Sequence, residues 1–258
     1  KQGDRAMIKK INVLLIGESW FIQTIETKGF DSFSVGGYGT GIEYIQKVLN
    51  SDTTTFTHMP AHLVDSQFPD TVEGLLKYDI IIISDVGANT FLLPAETFFN
   101  LKAKPNKLEL LRDYVAEGGG LCMCGGYMSF MGIEGKGRYH GTVIEEILPV
   151  TFANGDDRVE CPQGIYFSQK PESHPILNGM PEKWPMVLGY NKAYAKPDAE
   201  VVVTYNGDPI LALGKYKKGR TLAFATDIAP HWCSKEFCES PCYEVLWKNI
   251  VRYLAGEL

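Results

Sequence analysis

No long basic run occurs in this sequence. Its 25 lysines and arginines are interspersed among 31 aspartates and glutamates, giving a formal net charge of −6. Nucleic-acid binding needs a clustered cationic patch and membrane-surface binding a basic amphipathic helix, so no nucleic acid and no membrane is expected among the partners. Long apolar stretches are missing too. The longest, such as Ile80–Ile83, are strand-sized, far short of the ~20 residues that cross a bilayer. No secretory leader is read at the start. Residues 1–6 precede Met7 and are set aside as an expression remnant or a disordered leader. The rest, 7–258, is expected to form one domain and to work in the cytoplasm.

Two further absences narrow the chemistry. Six cysteines are present, but a chain with a large core and no export signal needs no disulfide staples, so reduced thiols are expected. His231, Cys233, Cys238 and Cys242 are irregularly spaced for a structural zinc site. His58 and His62 lie four apart, but Met59 stands where a metalloprotease places its glutamate. No metal is expected. Gly135-Lys136-Gly137-Arg138-Tyr139-His140-Gly141 is basic and glycine-rich, yet no complete phosphate loop or dinucleotide fingerprint is present, and no cofactor is expected.

What is there alternates. Lys10–Gly17 reads as a buried strand ended by glycine, followed by Glu18-Ser19-Trp20. Phe30–Gly41 reads as a turn-rich loop, and its Gly36–Gly41 stretch as a weak anion site ahead of a helix. A helix is expected over Thr40–Asn50, a strand over Phe56–Met59, a short helix over Thr71–Leu76 and a strand over Ile80–Ser84 with Asp85 at its exit. Leu108–Glu117 follows as a helix stopped by three glycines, then Leu121–Cys124 as a strand. Strand–helix alternation implies an α/β protein with a mainly parallel sheet covered on both faces. The second half adds extra β elements at Val159–Cys161, Val187–Lys192, Ala199–Tyr205, Pro209–Leu213 and Arg220–Thr226, then a final helix, Tyr243–Leu254. Ligands of such sheets bind at the carboxyl ends of the strands. Glu18-Ser19-Trp20, Ser84-Asp85, Gly125-Gly126-Tyr127 and Asp227 to His231-Trp232 are therefore expected on one rim.

The strongest local signal runs from Gly118 to Phe130, from helix end through strand into a sharp glycine turn. A nucleophile elbow has this shape, and amides after the turn could hold an oxyanion. Alternatively the glycines only pack the turn, and Cys122 and Cys124, on one strand face, are buried. Thr226-Asp227-Ile228-Ala229-Pro230-His231-Trp232 offers a histidine after a strand, the usual base for a cysteine, or a histidine that simply caps a loop.

Gly17-Glu18-Ser19-Trp20, Phe68-Pro69, Ser84 to Asn89, Gly118 to Phe130, Gly137 to His140, His174-Pro175-Ile176, Gly189-Tyr190-Asn191 and Pro230-His231-Trp232 together resemble a known group. It is the glutamine amidotransferase-like family within the class I glutamine amidotransferase-like superfamily, and the resemblance spans about Ile11 to Leu254. It implies a flavodoxin-like, three-layer α/β/α sandwich. Glutaminases of the superfamily use a Gly-x-Cys-x-Gly elbow and a later His-x-Glu. Here Cys122 stands at the first glycine of a Cys124 elbow, the elbow tip falls at Cys124 or Gly125, and Cys233 stands where the glutamate would follow His231. The triad is thus expected to be incomplete, with Asp227 the nearest orienting acid.

Three readings follow. A cysteine-dependent amide hydrolase or transferase would use Cys124, His231 and Asp227, and requires Cys124 exposed with a lowered pKa. A non-catalytic binder of a small polar molecule would line its pocket with Glu18, Ser19, Trp20, Asp85, Gly125, Gly126, Tyr127, His140 and Trp232. A homo-oligomeric scaffold would carry an exposed apolar patch.

Overall fold

The computed structural model describes residues 10–167, 169 and 174–258, so the leader 1–6 lies outside the described residues. In chain order its strands are β1 (Ile11–Gly17), β2 (Ser19–Lys28), β3 (Asp31–Thr40), β4 (Thr54–Met59), β5 (Ile80–Ser84), β6 (Gly120–Cys124), β7 (Val150–Phe152), β8 (Arg158–Ile165), β9 (Val187–Asn191), β10 (Ala193–Ala195), β11 (Glu200–Tyr205), β12 (Asp208–Tyr216) and β13 (Gly219–Phe224). Seven of them form the central sheet in the order β11-β12-β13-β6-β5-β1-β4. Strands β4, β1, β5, β6 and β13 run parallel; β12 and β11 extend the sheet as antiparallel neighbours. Numbered among the parallel strands alone, the order is 2-1-3-4-5, the flavodoxin arrangement, with its switch point between β1 and β5.

The apolar runs explain the layers. Val13 and Leu15 of β1, Ile80 and Ile82 of β5, and Cys122 and Cys124 of β6 face one side of the sheet. There Leu246, Trp247, Ile250 and Val251 of the C-terminal helix Pro241–Leu254 cover them, with Ile45 and Leu49 of helix Glu43–Leu49. Leu14, Ile16, Ile81, Ile83, Leu121 and Met123 face the other side, under Leu108, Leu111 and Val115 of helix Lys107–Ala116. Strands buried on both faces need side chains that are apolar at every position, which is why these segments read as runs and not as alternations. Asn106 caps the Lys107 helix by accepting from the amides of Leu108 and Glu109, and a proline opens the C-terminal helix.

The loop expected at Phe30–Gly41 is not a loop. It is β3, paired antiparallel with β2 from Ser19↔Thr40 to Lys28↔Asp31 around a two-residue turn, Gly29-Phe30. Gly29 takes φ +66°, where glycine is favoured. Gly37 and Gly39 lie against side chains of β2. Trp20 lies over Gly39, so close that a Cβ there would come within 2.8 Å of its Nε1, and Ile22 sits opposite Gly37. The proposed anion site at Gly36–Gly41 goes with the loop: most of these residues are strand, and the helix begins only at Glu43.

At the end of β1, Gly17 takes φ +105°, and a Cβ there would lie 1.9 Å from the Ser84 carbonyl oxygen. Gly17→Ala combines a forbidden backbone with a backbone clash, and is expected to cost at least about 3 kcal/mol in urea unfolding. Gly29→Ala, with open space around it, is expected to cost only about 1 kcal/mol.

Candidate functional site

The carboxyl ends of β1, β5, β6 and β13, four consecutive strands of the sheet, make one rim. Two acidic residues leave it in an unusual way. Glu18 follows β1 and Asp85 follows β5, and both take φ +46°, a left-handed conformation that non-glycine residues rarely adopt. The Glu18 amide donates to the Ser84 carbonyl at 3.0 Å, which ties the two turns together across the switch point. Strain of this kind persists only where surrounding contacts impose it, and it concentrates at functional sites.

Glu18 is only 1% exposed. One carboxyl oxygen accepts from the Ser84 hydroxyl at 2.5 Å, and the other faces Gly41, where a Cβ would come within 2.5 Å of it. Burial raises its pKa well above the ordinary carboxylate range, and the nearby Asp227 and Asp85 raise it further. Burial and Asp227 also raise Asp85, against the Met128 amide that donates to it at 2.7 Å. Three carboxyl groups thus share the rim, and burial, with the neighbouring acids, favours the protonated forms of Glu18 and Asp85.

The fourth group is an imidazole. His231 Nδ1 donates to Asp227 Oδ2 at 3.0 Å, and Asp227 Oδ1 accepts from the Ala229 amide. The aspartate fixes the tautomer, leaving Nε2 as the nitrogen available for chemistry. The hydrogen bond to Asp227 raises the His231 pKa against the opposing effect of burial. The imidazole remains 41% exposed. Tyr127 meets it edge-on at 4.4 Å and Trp232 stacks beside it at 5.4 Å. Trp232 is 1% exposed, so it backs the imidazole and offers a ligand little surface. Its indole donates to Glu160 at 3.0 Å, and the Arg158 guanidinium lies 4.8 Å from the Tyr127 ring centre.

The elbow is closed. Cys124 is fully buried on the sheet face under the C-terminal helix, its Sγ 3.7 Å from that of Cys122. Burial pushes its thiol well up, helped by Cys122 and by the nearby acids Glu18 and Asp227. A cysteine nucleophile needs the opposite on both counts. The alternative tip, Gly125, has no room for any side chain: a Cβ would lie 2.2 Å from the Ala225 carbonyl oxygen. The amides expected to hold an oxyanion are occupied by the chain itself. Gly125 N donates to Phe224 O and Thr226 O, Gly126 N to Asn191 Oδ1 at 2.8 Å, and Met128 N to Asp85.

Three expected residues lie apart. Ser19 and Trp20 line a neighbouring cleft of about 460 Å³ with Phe21, His62, Phe98 and Phe99, and the Ser19 hydroxyl accepts from the Ala61 amide. His140 pairs with Glu145 at 3.1 Å and, among the described residues, makes no hydrogen bond to the Asp227 cluster. Reading the sequence missed Arg158, Glu160, Asp157 and Asn191 as site residues. Asn191 donates to Asp157 and to Gly126 O, while Asp157 accepts from the amides of Met131 and Gly132, so together they hold the elbow in shape. The signal was a polar residue ending an otherwise apolar strand, Val187–Asn191. Among the described residues, no cluster of histidine, cysteine, aspartate or glutamate could hold a metal ion, and no helix is long and apolar enough to cross a membrane.

Fold and rim define a flavodoxin-like α/β protein with an acid–imidazole cluster at the switch point. The chain belongs to the family described as "Putative glutamine amidotransferase", whose model matches residues 12–256. Two cytoplasmic proteins of Salmonella typhimurium share its structure. STM3548 is 48% identical, with a TM-score of 0.90 over 94% of this chain and 98% of its own. STM1381 is 46% identical, with a TM-score of 0.90 over 95% and 99%. A "Putative thua-like protein" from Bacteroides uniformis, 14% identical with a TM-score of 0.57 over 98% of this chain and 95% of its own, shares the fold alone. A comparison with curated proteins gave no match.

Two titrations check these electrostatics. Replacing Asp227 by Asn removes the charge that strengthens the hydrogen bond to His231, and its imidazole pKa is expected to fall toward the ordinary value near 6.5, as read from histidine Cε1 proton shifts. Glu18 has a folded pKa raised above its unfolded value, so its favourable contribution is present below the ordinary 4.5 and is lost as pH rises through the folded pKa. Glu18→Gln is therefore expected to be more stable than the wild type in urea at about pH 8 and to converge with it in mild acid.

Proposed function

We propose that this chain binds a small polar molecule at the rim between β1, β5, β6 and β13, and that His231 moves protons there without a covalent thiol intermediate. The observation that carries this reading is the contrast of two neighbours: Cys124 is sealed with a raised thiol, while His231 is open to solvent and oriented by Asp227. Asp227 holds the imidazole in one tautomer and stabilises its charged form, as the acid of a catalytic triad does. Below its raised pKa the imidazolium donates to an anionic or hydroxyl oxygen; above it, Nε2 accepts a proton. The Tyr127 ring, flanked by Arg158 and Glu160, suits a ligand that carries both a flat or apolar face and polar substituents, such as an amino acid or a sugar. Glu18, holding its proton, supports the site from below as a neutral acid. The work is done in the cytoplasm, the location named for both Salmonella relatives.

The test is a panel of L-glutamine, L-glutamate and simple hexoses, screened by tryptophan fluorescence and thermal shift. At least one ligand is expected to bind, about tenfold or more weakly to His231→Ala and Tyr127→Ala and unchanged to Cys124→Ala. Release of ammonia from glutamine that disappears in Cys124→Ala would overturn the proposal.

A further inference from the structure

The β2–β3 ribbon stands off the body. Every residue from Trp20 to Tyr38 is exposed, including Phe21 (70%), Ile25 (68%) and Phe30 at the tip. At its root Phe21, Tyr38 and His62 form an edge-to-edge aromatic cluster with the body. Along the ribbon, apolar side chains lie on both faces: Ile22, Val35 and Phe33 on one, and Ile25 on the other, in line with the root residues Phe21 and Tyr38. A lone two-stranded ribbon is at best marginally stable in water, and one that leaves both apolar faces wet has no core of its own. Among the described residues, both outer strand edges are also unpaired, the usual template for pairing with another chain.

We propose that this ribbon is a dimerisation arm that packs on a second copy of the same chain. Three observations select that occupant. The arm offers roughly 800 to 1,000 Å² of apolar surface, counting about 200 Å² for each large side chain by its exposure, and a stable dimer needs about 800 Å² from each partner. A matching receptor lies on the same molecule: the cleft at the arm's root is walled by Leu93, Phe98 and Phe99, which are 48%, 59% and 75% exposed. A two-fold pair can therefore exchange arm and cleft reciprocally, as a closed symmetric interface requires. Finally, only Glu26, Lys28 and Asp31 are charged between Ser19 and Thr40, and Lys28 pairs with Glu26, so the arm has no cationic field for an anionic membrane or a nucleic acid.

The arm also reaches the rim. Glu18 directly precedes its first residue, and Gly41, which packs on the Glu18 carboxyl, directly follows its last. Holding the arm against a partner thus steadies the strained turn that carries the buried acid.

Sedimentation velocity on the full chain tests the arm independently of any activity. The wild type is expected to be a dimer at about 10 µM, and Ile22→Glu/Ile25→Glu, one charge on each face of the exposed ribbon, is expected to weaken dimerisation by about 100-fold or more with an unchanged far-UV circular dichroism spectrum. A wild type that stays monomeric at about 50 µM, whether or not it binds anionic vesicles, would overturn the proposal. So would a double variant that dimerises as tightly as the wild type.

Discussion

The rim depends on the crowding of three acids. Glu18, Asp85 and Asp227 converge at the ends of β1, β5 and β13, and burial, with the neighbouring acids, raises the pKa of Glu18 and Asp85. Asp227 Oδ2 holds the His231 imidazole, and Asp85 accepts from the amide of Met128. The left-handed turns at Glu18 and Asp85 are what bring the acids together, and Gly17 and Gly41 supply the side-chain-free surface those turns require.

The arrangement differs from the cysteine elbow that the family resemblance leads one to expect, since a cysteine nucleophile needs an exposed thiol of lowered pKa. Here β6 ends with its cysteine turned under the C-terminal helix, its tip is a glycine with no space for a side chain, and its amides are spent on Asn191, Asp85 and the neighbouring strand. The elbow has become a brace. His231 stands one strand over, on the segment after β13, where the imidazole keeps an exposed edge between Tyr127 and Arg158 on one side and Trp232 on the other.

Much of this was legible in the sequence, for physical reasons. Uninterrupted apolar runs at β1, β5 and β6 required a sheet covered on both faces, and the strand order of such a sheet put Glu18, Asp85 and Asp227 at one edge. Cys122 and Cys124 shared a face by simple alternation, but the sequence did not say which face, and so could not decide between a nucleophile and a core residue. The arm was misread because its glycines look like turn residues in isolation; only the pairing with β2, which sets Trp20 over Gly39 and Ile22 opposite Gly37, makes them strand. Arg158 lies 31 positions along the chain from Tyr127, and Asn191 lies 65 from Gly126, the groups they touch at the site, a proximity no local pattern encodes.

A thiol sealed in the core is closed to reagents in the native protein. The direct measurement is alkylation of Cys124 by iodoacetamide as a function of pH, mapped by peptide fragmentation, in the wild type and in His231→Ala. Cys124 is expected to be labelled only after unfolding, with no difference between the two native proteins. Rapid labelling of the native wild type well below the ~8.5 of a free thiol, slowed by the loss of His231, would contradict it and restore a cysteine–histidine pair.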